Sequence, residues 1–194
     1  MAKTAARLIV GISGASGTIY GVRLLEMLRN TEIETHLVMS KSADLTLAYE
    51  TDLKPRDVRA LASAHYPVSD IGAAISSGSF PTMGMIVVPC SIRTMSEIAT
   101  GVTASLLSRA ADVVLKEKRR LVLAVRETPL HSGHLRSMTT LAEIGAVIAP
   151  IVPAFYNRPQ SVDDIINHTC GRLLDLFGID TGIVKRWKGG PAET

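Results

Sequence analysis

The stretch from Leu8 to Gly21, LIVGISGASGTIYG, constrains the fold more than any other part of the chain. It opens on Leu8-Ile9-Val10, a short apolar run rich in β-branched residues and stopped by Gly11, which reads as a buried strand rather than a helix. Gly14, Gly17 and Gly21 follow, with Ser13, Ser16 and Thr18 between them. From Ile19 the apolar spacing turns helical, through Val22, Leu25 and Leu28 with Leu24 beside them. A strand, a glycine-serine turn and a helix leave free backbone N–H groups at a helix N-terminus, where the dipole also favours an anion. Small residues let a phosphate approach such a backbone closely. The same turn also serves as a ligand-free connection in many α/β units, so alone it assigns nothing.

Two familiar phosphate loops fit poorly. A P-loop ends in Gly-Lys-Ser/Thr, and this turn contains no lysine. The dinucleotide fingerprint is G-x-G-x-x-G with an acidic residue closing the second strand, whereas the spacing here is G-x-x-G-x-x-G and the second strand runs into Ser40-Lys41. ATP and NAD are therefore disfavoured, and a different phosphate ester is wanted.

The strand–helix alternation continues along the chain. Glu34–Met39 reads as a second strand, Lys41–Tyr49 as a helix capped by Ser40, and Arg56–Ser63 as a short helix behind Pro55. His65–Thr82 is the least regular part, either a short strand or a loop over the site. Met85–Val88 and Leu121–Val125 are buried strands, and Val147–Ala149 is a last short one. Thr94–Thr100, Leu106–Glu117 and Arg136–Ile144 read as helices, and Ser161 with Asp164 forms a capping box that opens Val162–Phe177. This order implies an α/β fold with a parallel sheet and helices on both faces, a three-layer sandwich.

Length and composition fit one globular domain over residues 1–194, with a core of about 7–178 and a C-terminal tail of 179–194: the chain is 46% hydrophobic and 20% charged. A net charge of +3 is too small to argue for nucleic acid. No segment approaches the length needed to cross a bilayer, and the N-terminal apolar run is too short for a signal sequence. The two cysteines, Cys90 and Cys170, are far apart, which fits a reducing compartment; the expected location is the cytoplasm. Cys90, behind Val88-Pro89, reads as a buried small residue rather than a nucleophile.

In a parallel sheet, ligands lie beyond the carboxyl ends of the strands. The loops there are Ser13–Ser16, Ser40-Lys41, Pro89–Thr94 and Arg126–Pro129. They offer hydroxyls and two arginines, a rim suited to a phosphate and to the polar edge of a flat heterocycle. Any one of these serines could be an ordinary helix cap; their convergence carries the argument.

Six motifs then appear in order. They are Gly11-Ile-Ser-Gly-Ala-Ser-Gly17, Glu50-Thr-Asp52, Pro89-Cys-Ser-Ile-Arg-Thr94, Arg109-Ala-Ala-Asp-Val-Val-Leu-Lys-Glu117, Arg126-Glu-Thr-Pro129 and Pro153-Ala-Phe-Tyr-Asn-Arg-Pro-Gln160. Together, from about Leu8 to Trp187, the chain resembles the UbiX-type flavin prenyltransferases. The resemblance implies a flavodoxin-like or Rossmann-like fold and an assembly of twelve identical subunits. It implies that reduced FMN reacts with dimethylallyl phosphate: N5 attacks the allylic carbon, phosphate leaves, and a bond to C6 closes a fourth ring. The prenylated FMN would then pass to a UbiD-type decarboxylase, with no metal required.

Carried over residue by residue, the resemblance places Gly14, Ala15 and Ser16 against the flavin with Ser40 beside it, and gives Ser91, Ile92, Arg93, Thr94 and Arg126 the task of holding FMN. Ser16 corresponds to the serine near N5, and Glu50 and Glu127 to two acids near the reacting centre. Tyr156 and Arg172 match contacts to dimethylallyl phosphate, and Arg109 and Lys116 match further phosphate-binding cations. The residue types suit the chemistry. A departing phosphate needs positive charge where its own charge builds up, and a buried Glu50 could take the proton lost from C6. The loop Ser76–Thr82 lacks the tryptophan that some family members place near the prenyl group. Two alternatives compete: a non-catalytic FMN carrier subunit, and a flavin-dependent cysteine decarboxylase. The latter family has Asn-Thr where this chain has Arg93-Thr94, and a catalytic histidine in a loop that here, over Ala73–Thr82, contains none.

Overall fold

The structure, a computed structural model, describes residues 6–184. Trp187 and the cations flanking it, expected to pack on a neighbour, lie outside the described residues.

Six strands form one sheet: β1 (Arg7–Ile12), β2 (Glu34–Met39), β3 (Ala64–Tyr66), β4 (Gly84–Cys90), β5 (Arg120–Val125) and β6 (Ala146–Ile148). All pairings are parallel, in the order β3-β2-β1-β4-β5-β6. This is the Rossmann order, and its reversal point falls between β1 and β4. The helices are α1 (Thr18–Leu28), α2 (Lys41–Glu50), α3 (Pro55–Arg59), α4 (Ile92–Ala99), α5 (Leu106–Lys116), α6 (Ser132–Glu143) and α7 (Val162–Asp175).

The strands alternate their side chains between two apolar cores, as a sheet covered on both faces must. Leu8, Val10, Ile12, Ile86 and Val88 enter one core with α1 and α7; Ile9, Met85, Val87, Leu121 and Leu123 enter the other with α4 and α5. Gly21 lets α1 lie directly on β4, since a Cβ there would come within 2.6 Å of the Val88 carbonyl oxygen. No helix among the described residues is long and apolar enough to cross a membrane.

Element ends differ from expectation where capping decides them. Helix α4 starts at Ile92 rather than Thr94, because the Ser91 hydroxyl accepts from the Thr94 N–H at 3.3 Å and the intervening residues are already helical. Helix α6 starts at Ser132 rather than Arg136, because the His131 ring accepts from Gly133 N–H at 3.0 Å. The irregular stretch His65–Thr82 contributes to a short edge strand and a 3₁₀ turn at Ala74–Ser76.

Candidate active site

Parallel strands bring all their carboxyl ends to one edge of the sheet, and backbone bonds stitch the loops there together. Ser13 is fully buried. Its Oγ donates to the Pro89 carbonyl at 2.9 Å and accepts from Ser91 N–H at 2.7 Å, tying the loop after β1 to the loop after β4. Ser40 N–H donates to the Ile12 carbonyl at 2.9 Å, and Arg126 N–H to the Cys90 carbonyl at 3.1 Å. Gly14 permits the close approach of α2, for a Cβ there would meet Ser42 Cβ at 2.2 Å.

A cleft of about 400 Å³ opens over this edge. Gly14, Ser40, Ser91, Ile92, Arg93, Thr94 and Glu127 line it, seven of the residues expected to act. Ala15, Ser16 and Arg126 are not among its lining residues: Ser16 and Arg126 are exposed at its edge, and Ala15 is half-buried. The cleft also takes in Lys41, from one of the expected rim loops, and Ser42, Val68, Glu97 and Ser105, which had no expected role in the site. Ser105 caps α5 by accepting from Ser108 N–H at 3.3 Å. Its signal was available, a serine one residue before a helical run. Three capped helix starts, α2 at Ser40, α4 at Ser91 and α5 at Ser105, thus converge on one cleft.

Glu50 ends α2 and spans the gap to the start of α1. Its Oε2 accepts from Gly17 N–H at 2.9 Å, Thr18 N–H at 3.0 Å and the Thr18 hydroxyl at 2.9 Å. Burial pushes its pKa up, but hydrogen bonds from Ser16, Thr18 and Gly17 outweigh this and hold it below the ordinary value. Glu50 is therefore a carboxylate at neutral pH, anchored at a positive helix end. The expected burial is not found: within one chain Glu50 is exposed. It ends α2 and reaches the start of α1, where solvent also reaches it. Glu127 is also exposed and accepts from Thr128 N–H at 2.9 Å. Arg93 reaches outward, paired with Glu97 at 3.0 Å. Cys90 is fully buried and its thiol is pushed up to about 12 by that burial, which leaves no thiolate for chemistry.

The four expected prenyl-phosphate contacts are not brought to this cleft within one chain. Arg109 pairs with Asp112 at 2.9 Å, Arg172 with Asp175 at 2.7 Å, and Lys116 with Glu117. Lys116 ends the helix whose first turn lines the cleft, so about 15 Å of helix separates it from that turn. Arg172 sits in the last turn of α7, whose following residue Leu176 takes a hydrogen bond from Arg120 at the opening of β5, the opposite edge of the sheet. The Tyr156 hydroxyl lies 2.9 Å from His168 Nε2.

The cleft suits FMN. Its volume is that of a small-ligand pocket, its capped helix starts and hydroxyls suit a phosphate, and its small residues admit the edge of a flat ring. Fold and cleft together define an α/β protein built to hold a phosphorylated, flat cofactor at a switch point.

The profile of the Flavoprotein family matches residues 2–174. A flavin prenyltransferase UbiX of Escherichia coli (strain K12) is 63% identical over 186 residues, covering 94% of this chain and 98% of the relative. The crystal structure of AnUbiX in complex with FMN and dimethylallyl pyrophosphate superposes with a TM-score of 0.95 at 51% identity, covering 96% of this chain and 99% of that one. A dodecameric FMN-dependent Ubix-like decarboxylase from Escherichia coli O157:H7 gives a TM-score of 0.92 at 50% identity, covering 94% and 100%. The chain belongs to the flavoprotein family and, within it, to the UbiX-type flavin prenyltransferases.

Proposed function

We propose that this chain binds reduced FMN at the carboxyl edge of β1, β2 and β4, and joins the dimethylallyl group of dimethylallyl phosphate to N5 and C6 of its ring with release of phosphate. The reading is carried by a near full-length likeness to flavin prenyltransferases, coinciding with a cleft lined by seven of the expected site residues. When bound, the reduced flavin supplies the nucleophilic N5 and the ring carbon C6.

The chain supplies binding, orientation and charge. Gly14, Ala15 and Ser16 lie against the ring with Ser40 beside it, and Ser91, Ile92, Arg93, Thr94 and Arg126 hold the rest of FMN. Ser16 stands near N5, oriented by its hydrogen bond to Glu50. The second bond uses the dimethylallyl double bond, whose inner carbon takes up one proton as C6 gives up one. Glu50, already ionised, receives the C6 proton, and because the hydrogen bonds that ionise it also make it a weaker base, loosening them raises its proton affinity. Glu127 is the second acid at the cleft. Arg109, Lys116, Tyr156 and Arg172 receive the departing phosphate.

Because these four groups do not line the cleft of their own chain, they reach the cleft of a neighbouring copy. A homo-oligomer, a dodecamer as in the related structure, closes the site. Residues 1–194 form one domain with a core of about 7–178. The enzyme works in the cytoplasm and hands prenylated FMN to a UbiD-type decarboxylase.

The test is anaerobic incubation of the protein with reduced FMN and either dimethylallyl phosphate or its pyrophosphate. A new flavin absorbance and one released phosphate or pyrophosphate per flavin are expected. Flavin that stays bound and unchanged with both donors would leave a carrier, not a transferase.

A further inference from the structure

The proposed reaction leaves His168 without a role. It lies on α7 and is 7% exposed, yet it is not a packing residue alone. Its Nε2 is 2.9 Å from the Tyr156 hydroxyl, and the two rings meet edge to face with centroids 5.4 Å apart. Tyr156 itself is half exposed, on a turn closed by Arg158 N–H donating to the Phe155 carbonyl at 2.9 Å. Arg158 holds that turn in the left-handed region at φ 51°, a conformation a non-glycine residue keeps only when its surroundings demand it. One turn along α7 from His168 comes Arg172, on the same face.

We propose that His168 is a positioning residue for the prenyl-phosphate site, fixing the Tyr156 phenol so that its hydroxyl and the Arg172 guanidinium address one phosphate together. The inference rests on the reading of Tyr156 and Arg172 as prenyl-phosphate contacts. Burial, then the charge of Arg172, lowers the pKa of His168, which keeps the ring neutral at pH 7. A neutral imidazole has one N–H and one lone pair, and it can satisfy a phenol in a fixed direction without adding a charge that would compete with Arg172 for the phosphate. A half-exposed tyrosine without such a partner would lose rotamer entropy on binding; one already held does not.

The experiment measures KM for dimethylallyl phosphate, kcat and FMN affinity in His168→Leu, His168→Gln, Tyr156→Phe and the double variant Tyr156→Phe/His168→Leu. His168→Leu should raise KM about 5- to 10-fold with FMN affinity unchanged, as loss of one ordering hydrogen bond implies. His168→Gln, which keeps a partner for the phenol, should stay within about 2-fold of wild type. In the Tyr156→Phe background His168→Leu should change KM by less than about 2-fold, because there is no hydroxyl left to position. His168→Met, pliant enough to fill the same space, repeats the measurement if leucine does not fold. If Tyr156→Phe leaves KM unchanged, the reading of Tyr156 as a substrate contact is lost. If Tyr156→Phe raises KM but His168→Leu does not, or raises it equally with and without the hydroxyl, His168 positions nothing.

Discussion

Two regions of the molecule are built on opposite plans. The cleft over β1, β2 and β4 is assembled within one chain from backbone groups and short hydroxyl side chains, locked by bonds such as Ser13 Oγ to Pro89 and Ser91. The surfaces of α5 and α7 instead carry long cations, each resting on an acid of its own helix or turn: Arg109 on Asp112, Lys116 on Glu117, Arg172 on Asp175. Solvent-accessible pairs such as Lys116–Glu117 contribute little to stability, so on the proposed reading such a cation can leave its acid for a phosphate at small cost. On the proposed reading, the first region is preorganised for a cofactor that stays through the reaction, and the second is held neutralised for an anion that arrives and departs.

Glu50 stands between the two, and its replacement separates them most sharply. Glu50→Gln should lower turnover by about 100-fold or more, the range for loss of a general base. FMN affinity should remain within a few-fold, because the carboxamide oxygen of the variant can still accept from Gly17 and Thr18. Stopped-flow assay of product formation beside flavin titration reads both, and wild-type turnover would remove Glu50 from the chemistry. Next in size is Arg172→Ala. Loss of a charge-assisted hydrogen bond to phosphate should raise KM for dimethylallyl phosphate about 10- to 100-fold, with FMN affinity unchanged. Equal losses for both ligands would erase the distinction between the regions.

Ser13→Ala attacks the preorganised half. The Pro89 carbonyl would still accept from the backbone N–H of residue 13 at 3.2 Å, but the Ser91 N–H would lose its acceptor at a part-buried position. A fully buried donor left unpaired costs about 1–3 kcal/mol, so this part-buried one should cost about 1 kcal/mol. Thermal or denaturant unfolding should register that loss, and FMN affinity should fall with it while KM for the prenyl donor, measured at saturating FMN, holds. A variant as stable as wild type would mean that the two loops are tied together by other means.

What the chain discloses of itself follows the same division. The first strand, turn and helix were legible because a short apolar run rich in β-branched residues stops at Gly11 and helical apolar spacing begins at Ile19. The cleft lining at Gly14, Ser40, Ser91 and Glu127 was legible for a topological reason: these residues follow strands, and every parallel strand ends on the same edge. Strand β3 was not, since three residues paired only to β2 at a sheet edge leave no period to read. The start of α6 was missed because an imidazole, His131, does the capping that a hydroxyl or carboxylate ordinarily does. Arg109, Lys116, Tyr156 and Arg172 were nominated by resemblance alone. Nothing in their spacing distinguishes a phosphate-binding cation from a solvated helix face. The bond from Glu50 to the start of α1 was likewise invisible, because it joins elements whose meeting depends on how β1 and β2 pair.

The smallest expected effect concerns that same bond and carries a sign. The folded protein holds the Glu50 carboxyl below its ordinary value of 4.5 through hydrogen bonds from Ser16, Thr18 and Gly17 that outweigh its burial. A carboxyl whose pKa is depressed on folding binds fewer protons folded than unfolded. Its stabilising contribution is therefore complete above the unfolded value and is lost as pH falls through the folded one. Glu50→Gln keeps an acceptor but loses the charge at the start of α1. The variant should melt about 2–4 °C below wild type at neutral pH, the shift that follows from loss of roughly one helix cap in a domain of this size. The gap should close as pH falls below the ordinary carboxylate range, where Glu50 is protonated in both states. A gap that stays constant with pH would show that the carboxylate acts through hydrogen bonding alone. One that widens in acid would mean that burial, rather than the helix start, governs Glu50, and with it that the acid belongs to the preorganised half of the molecule.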